Sequence, residues 1–366
     1  MKRILLLVTL WLVAVNLFGF VALNRFNLKP DTAYTWITPS SFPTAQSWDI
    51  VNMHNHWDTY WYLDIIKNGY YLKNDNTLSN VVFFPLYPFL MTIFGTLLFG
   101  NYVLAGWIIS MSALLAGCSF FYKFLQEFHP DIDPELPIIL MLVFPTAFFF
   151  NIVYTEALFF FLTIATFYYT FKKNFYLAGV FALLGALTHS NGVFLALPIL
   201  WETWRNYGWK SLFSTKIIPV ALAPLASFAF IFYDYLKFHS LFLFFNIESA
   251  WGRSFSINWE HFSLFSHPSI VNMGIDIFFT LLILTMIFLT YKNLSPLYAV
   301  FMSLTVLAAL TSGTLMSIGR YSLVLFPVFI LLAKVKNKTF QQVWIFSSIL
   351  FLALDIILFV NNYWAG

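Results

Sequence analysis

Residues 4–23 read ILLLVTLWLVAVNLFGFVAL, with no charged side chain in the run. As a helix at 1.5 Å per residue this stretch is ~30 Å long, the thickness of a bilayer's hydrocarbon core. Residues 102–122 and 271–290 are comparably long apolar runs. The expected fold is therefore all-α, a polytopic membrane protein forming one membrane-embedded domain over residues 1–366.

Composition agrees with these runs. The chain is 60% hydrophobic and 10% charged, whereas soluble domains average about 45–50% and about 25%. So few charges cannot cover a water-facing surface. Aromatic residues reach 21%, and many Trp and Tyr sit near segment ends, where headgroups favour amphipathic rings. The net charge of +3 comes from scattered Lys and Arg, so no nucleic-acid partner is expected. Cys118 is the only cysteine, which excludes an internal disulfide and a cysteine-based zinc site.

Lys2 and Arg3 precede the first run and place the N-terminus in the cytoplasm. The run is longer than a signal-peptide core and has no clear cleavage site, so an uncleaved span is expected. The polar stretch 24–82 then lies outside. Segment 83–99 is short and carries Pro85 and Pro88. If it rests at the interface, Lys172, Lys173, Arg205, Lys210, Lys216, Lys334, Lys336 and Lys338 all share the side of Lys2 and Arg3. If it spans, most of them fall outside. The expectation is about eleven transmembrane helices, with a large first external loop, 24–101, carrying interfacial helices. The break at 188–192 divides the run 175–200 into two short helices. Non-helical backbone at that depth is tolerated where it lines a protein cavity.

With this topology the polar motifs gather on the external face. They are His54-Asn55-His56-Trp57-Asp58, Tyr154-Thr155-Glu156, Thr188-His189-Ser190-Asn191-Gly192, Trp251-Gly252-Arg253 and Gly319-Arg320-Tyr321. Charges at membrane depth usually face a cavity or a pathway, so the motifs point to one site. Trp57, Trp61 and Ile65 form an apolar stripe at helical spacing, as on a helix lying on the membrane surface. Asp58 and Asp64 point about 120° apart on such a helix and make a poor carboxylate pair. Asp58 is a candidate general base or, more simply, a helix N-cap. Glu156 is a partly desolvated carboxylate with a raised pKa or a cationic partner, or a helix-start residue. Arg253 and Arg320 suit bidentate phosphate binding or interfacial snorkelling. His54 and His56 read as interfacial polar residues rather than metal ligands. Asp131-Ile132-Asp133 falls on the cytoplasmic side as a solvated loop.

These motifs carry a resemblance. Trp57-Asp58-Thr59-Tyr60-Trp61-Tyr62-Leu63 with Asn68-Gly69-Tyr70, then Phe83-Phe84-Pro85-Leu86-Tyr87-Pro88, resembles the signature of PIG-V-type mannosyltransferases. Phe144-Pro145-Thr146-Ala147, Tyr154-Thr155-Glu156, Ser190-Asn191-Gly192, Ala250-Trp251-Gly252-Arg253 and Arg320-Tyr321 follow in order along almost the whole chain. Those enzymes are multi-spanning glycosyltransferases of the C superfamily. They include the enzyme adding the second mannose of the GPI anchor, and bacterial relatives. At the positions of His56 and His189 many bacterial relatives carry Arg.

The resemblance implies an inverting sugar transfer from a polyprenyl-phosphate donor to a glycan or glycolipid acceptor, on the external face of the cell membrane. Asp58 takes the role of catalytic base. Glu156, Arg253, Arg320, Tyr321, Trp57, Trp61, Asn191 and His189 are the expected substrate-binding residues. No tightly bound cofactor or metal is expected, and a loosely held divalent ion is compatible. The competing class is a lipid or glycolipid transporter without chemistry, which shares the topology and a charged cavity.

Overall fold

The computed structural model describes residues 1–26, 28–29, 49–72, 78–240, 242–250, 270–311 and 314–365. Its regular structure is helical, and no β-strand occurs among the described residues. The helices are α1 (Lys2–Arg25), α2 (Asp58–Asn68), α3 (Leu86–Leu97), α4 (Tyr102–Phe128) and α5 (Glu135–Leu142). Next come α6 (Glu156–Phe171), α7 (Phe175–Ala186), α8 (Ala196–Tyr207), α9 (Ile218–Phe238) and α10 (Leu243–Ala250). The last are α11 (Ile270–Asn293), α12 (Pro296–Leu310), α13 (Ile318–Leu323), α14 (Pro327–Ala333) and α15 (Lys338–Val360).

Among the described residues, five helical stretches are long and apolar enough to cross a membrane: α1, α4, Thr215–Phe238, α11 and α15. In α1, Ile4, Val8, Leu12, Val15, Gly19 and Ala22 are buried, while Leu6, Leu10, Val13, Leu17 and Val21 are exposed. Both sets repeat at helical spacing, so the helix is apolar on its outer face as well. A water-facing helix would be polar there. α15 repeats the pattern, with Leu352, Ile356 and Phe359 inside and Val343, Phe346, Leu350 and Leu354 outside.

Helix length alone does not reproduce about eleven spans. The other apolar segments are divided into shorter helices, because Pro145, Pro296 and Pro327 start new turns and the polar motifs interrupt the rest. The 3₁₀ turn Pro145–Asn151 and α6 meet at 94°. The run 175–200 is divided as the sequence suggests, into α7, a 3₁₀ turn at Ser190–Leu195, and α8. Gly192 lets that turn fold back on α7. A Cβ there would stand 2.2 Å from the carbonyl oxygen of Gly185 and 2.5 Å from Ala186 Cα.

The core is built from α4, α6, α7 and α9, with α3 against α4 and α1 against α15 and α4. It is dense in aromatic rings, including Phe121, Phe124, Phe160, Phe167 and Phe326. Three ion pairs, Arg3–Glu135, Lys172–Glu127 and Lys334–Asp131, gather around the loop from 127 to 135. They lie at the opposite end of α6 from Glu156, ~24 Å along a helix of that length. Asp131 is thus an exposed loop residue, as the sequence indicates.

Candidate functional site

Asp58 is the first residue of α2, not its cap; Trp57 holds the cap position at φ +55° and ψ −112°. That conformation is costly for a residue with a side chain. It is held by contacts on both sides. The Asp58 N–H donates to Tyr154 Oη at 3.0 Å, and Thr59 Oγ1 donates to the Val153 carbonyl at 3.1 Å. The start of α2 is thereby fixed to the bend that leads into Glu156. On the other side, Thr146 Oγ1 donates to the Gly319 carbonyl at 3.0 Å, fixing the 3₁₀ turn to α13. A backbone bond from Leu86 N–H to the Leu187 carbonyl, 2.9 Å, joins the start of α3 to the 188–192 break.

These ties bring Asp58, Glu156 and Arg320 together from three distant parts of the chain. Arg320 Nη1 donates to Asp58 Oδ2 at 2.7 Å. Arg320 Nε lies 3.1 Å from Glu156 Oε1, an ion-pair distance off the line of a hydrogen bond. The three side chains are largely buried. With both acids ionised the cluster carries one negative charge in excess. Phe149, Tyr154, Tyr321 and Trp364 surround the guanidinium, their ring centres 5.5–5.8 Å from its carbon. Rings at that range favour the cation and exclude water from it.

Asp58 and Arg320 line a cavity of about 100 Å³ together with Tyr62, Thr155, His189 and Trp364. A second cavity of about 350 Å³ adjoins it and is lined by Asn191, Phe194, Phe244, Leu304 and Leu307, among others. His189, Ser190, Glu248 and Tyr321 line both. His189 is held by stacking on Phe159 at 5.0 Å, and its Nδ1 accepts the Asn191 N–H at 3.1 Å. In the neutral ring the proton therefore sits on Nε2.

The structure thus gathers Asp58, Glu156, Arg320, Tyr321, His189 and Asn191 in or beside adjoining cavities. Trp57 and Trp61 are placed otherwise. Both are buried and neither lines these cavities. Trp57 packs edge-on to Trp364, with ring centres 5.5 Å apart, and Trp61 stacks with Phe83 at 6.0 Å. Trp57 and Trp61 therefore face protein rather than the membrane surface, covered by Trp364 and Phe83 among others, while Ile65 is partly buried. Arg253 lies outside the described residues.

His54 and His56 are also buried, not interfacial. His54 stacks on Trp107 at 4.4 Å, and His56 meets Phe359 edge-on at 5.1 Å. Burial, with the neighbouring His56, lowers the pKa of His54 to about 3; burial lowers that of His56 to about 4. Both are neutral at physiological pH. Among the described residues no group of three or more His, Cys, Asp or Glu side chains is placed to hold a metal ion. Asp64 is occupied structurally, accepting from Asn68 Nδ2 at 2.7 Å and Asn80 Nδ2 at 2.9 Å.

Trp364 is a cavity residue outside every motif of the sequence, and Tyr62 is one that lies within a motif but has no role assigned by it. The aromatic density of the chain hid them, since no spacing separates a cavity ring from a core ring. For Trp364 the available signal was an aromatic and amide cluster, Asn361 to Trp364, directly after an apolar helix. No family model, no curated protein and no solved structure matches this chain.

Proposed function

We propose that the chain is a membrane glycosyltransferase, of PIG-V-like type, using a polyprenyl-phosphate sugar. The observation that carries this reading is the buried Asp58–Arg320–Glu156 cluster, whose Asp58 and Arg320 line a polar cavity that adjoins a larger, more apolar one. A lipid-linked sugar has the same division into a polar head and a hydrocarbon chain.

In the reaction Asp58 Oδ accepts the proton of the acceptor hydroxyl. The hydroxyl oxygen attacks the anomeric carbon with inversion, and the carbon–oxygen bond to the lipid phosphate breaks. The bonding pair leaves with the phosphate, which needs no general acid. Arg320 first fixes the orientation of Asp58. As the phosphate enters, the guanidinium has further N–H donors for its oxygens, and preorganised donors of this kind stabilise developing charge. Glu156 holds Arg320 from its other side. Mannose is the sugar suggested by the resemblance.

We further propose a multi-pass arrangement of about eleven spans, with the Asp58 cavity outside and the N-terminus in the cytoplasm. It is supported by the ion pairs of Arg3, Lys172 and Lys334 at one end of the molecule and the cluster at the other. The deciding experiment incubates purified protein with a panel of polyprenyl-phosphate sugars and scores release of the lipid phosphate. No release from any donor when glycan and glycolipid acceptors are supplied, with or without added divalent ion, overturns the enzyme reading. The second reading, a lipid or glycolipid transporter, draws on Asp234 and Asp276, carboxylates inside spanning helices. It requires movement of an intact lipid across a vesicle membrane, which the same purified protein would show.

A further inference from the structure

Asp276 lies on α11 and Asp355 on α15, within two of the helices long enough to span. Asp276 is ~9 Å along from the start of its helix and Asp355 ~7 Å back from the end of its own. In an antiparallel pair those are similar depths, near one membrane face. Both line a cavity of about 40 Å³ with Asn272, Thr146, Gly319 and Trp364. Asp276 is only 6% exposed. Among the described residues its carboxyl has no hydrogen-bond or ion-pair partner. A carboxyl in a spanning helix is costly, and one without a partner is not explained by packing.

The surroundings indicate what it receives. Carboxylate and amide oxygens accept hydrogen bonds from hydroxyls, and an indole face covers the apolar side of a ring. The cavity has room for about one water-sized group, hence a hydroxyl rather than a whole sugar. Trp364 is a shared wall, lining this cavity and the one that contains Asp58. Gly319, on its floor, immediately precedes Arg320 in the chain.

We propose that Asp276, with Asp355 and Trp364, forms a hydroxyl-binding subsite for the polyol headgroup of the acceptor. A ring lying against Trp364 would insert one hydroxyl into the carboxyl cavity and present another towards Asp58. The role in transfer rests on the glycosyltransferase reading; the binding itself does not.

Two experiments separate them. In a full-length Cys118→Ala background, Asn272→Cys, which lines the same cavity and leaves Asp276 in place, is treated with a small water-soluble thiol reagent, with and without methyl α-D-mannopyranoside as the probe. The expected result is labelling that the glycoside slows. Absence of labelling in folded protein, labelling unchanged by the glycoside, or protection by divalent cations instead would each overturn the subsite. In the transfer assay, Asp276→Asn is expected to raise KM for the acceptor about tenfold, while KM for the donor and the donor's slow hydrolysis stay as in wild type. An equal change for donor and acceptor would overturn the acceptor assignment. If wild-type protein transfers nothing, the enzyme reading fails and the labelling result still decides whether a hydroxyl site exists. Asp276→Leu supplies a control on folding. A carboxyl kept for binding predicts a higher Tm for Leu than for Asp, and a lower Tm would mark Asp276 as structural.

Discussion

Arg320 Nη1 lies 2.7 Å from Asp58 Oδ2, a contact across 262 positions of sequence, and the same guanidinium reaches Glu156. Removing it leaves two carboxylates facing one another in a buried site. Breaking a buried pair in this way typically costs about 3–5 kcal/mol. Arg320→Gln is therefore expected to lower Tm sharply in detergent. Adding Glu156→Gln should recover part of the loss, since one repelling charge is gone. A double mutant no more stable than Arg320→Gln would mean that Glu156 does not share the guanidinium.

Asp58 and Asp64 make separate predictions. Asp58→Asn keeps the shape and retains an oxygen to accept from Arg320, while removing the basic oxygen. Transfer should fall by about 10²–10⁴-fold, the usual worth of general base catalysis. Asp64→Asn turns an amide towards the amides of Asn68 and Asn80. It should cost about 1–3 kcal/mol of stability and leave turnover of the folded fraction near wild type. Wild-type turnover by Asp58→Asn would remove it as base.

Gly192 offers a test of packing rather than chemistry. The atoms that a Cβ would meet belong to the backbone of Gly185 and Ala186, which cannot rotate away. Gly192→Ala should destabilise the protein by about 1–3 kcal/mol or more through overpacking. It should also alter the cavity walls at His189 and Asn191, so activity should fall even at temperatures where the variant stays folded. Circular dichroism melts alongside the transfer assay would separate the two effects.

His54 and His56 give stability a pH dependence. Their folded-state pKa values, about 3 and about 4, lie below the ordinary 6.5. The unfolded chain therefore binds protons first as pH falls below 6.5. Stability due to the neutral rings is complete above that pH and is lost progressively from pH 6.5 down to about 4 for His56 and about 3 for His54. Tm should decline over that range, and His56→Gln should flatten the decline. A Tm constant down to pH 4.5 would contradict the burial of both rings.

Much of this arrangement is legible in the sequence, and the limits have physical causes. The apolar runs at 4–23, 102–122 and 271–290 each fall on a helix long enough to span, because their length and scarcity of charge, Asp276 alone in the three, leave no other economical backbone arrangement. The break at 188–192 is visible as polar residues inside an apolar run. The meeting of Asp58, Glu156 and Arg320 shows in the sequence only as charges beside apolar segments. Trp57 and Trp61 look like a membrane-facing stripe, because periodicity states that a face is apolar and not what covers it. His54 and His56 look interfacial for a similar reason: nothing local records that Trp107 and Phe359 will stack on them.

The Asp58–Arg320 contact also bears on how the protein is made. Synthesis delivers Asp58 and Glu156 to the membrane well before the helix that carries Arg320 emerges from the ribosome. Until then the two acids lack the guanidinium that pairs with both of them. A nascent chain halted before α13 would hold the start of α2 only through its hydrogen bonds to Tyr154 and Val153. The arginine that closes the cluster is thus the last of its three charged members to be made.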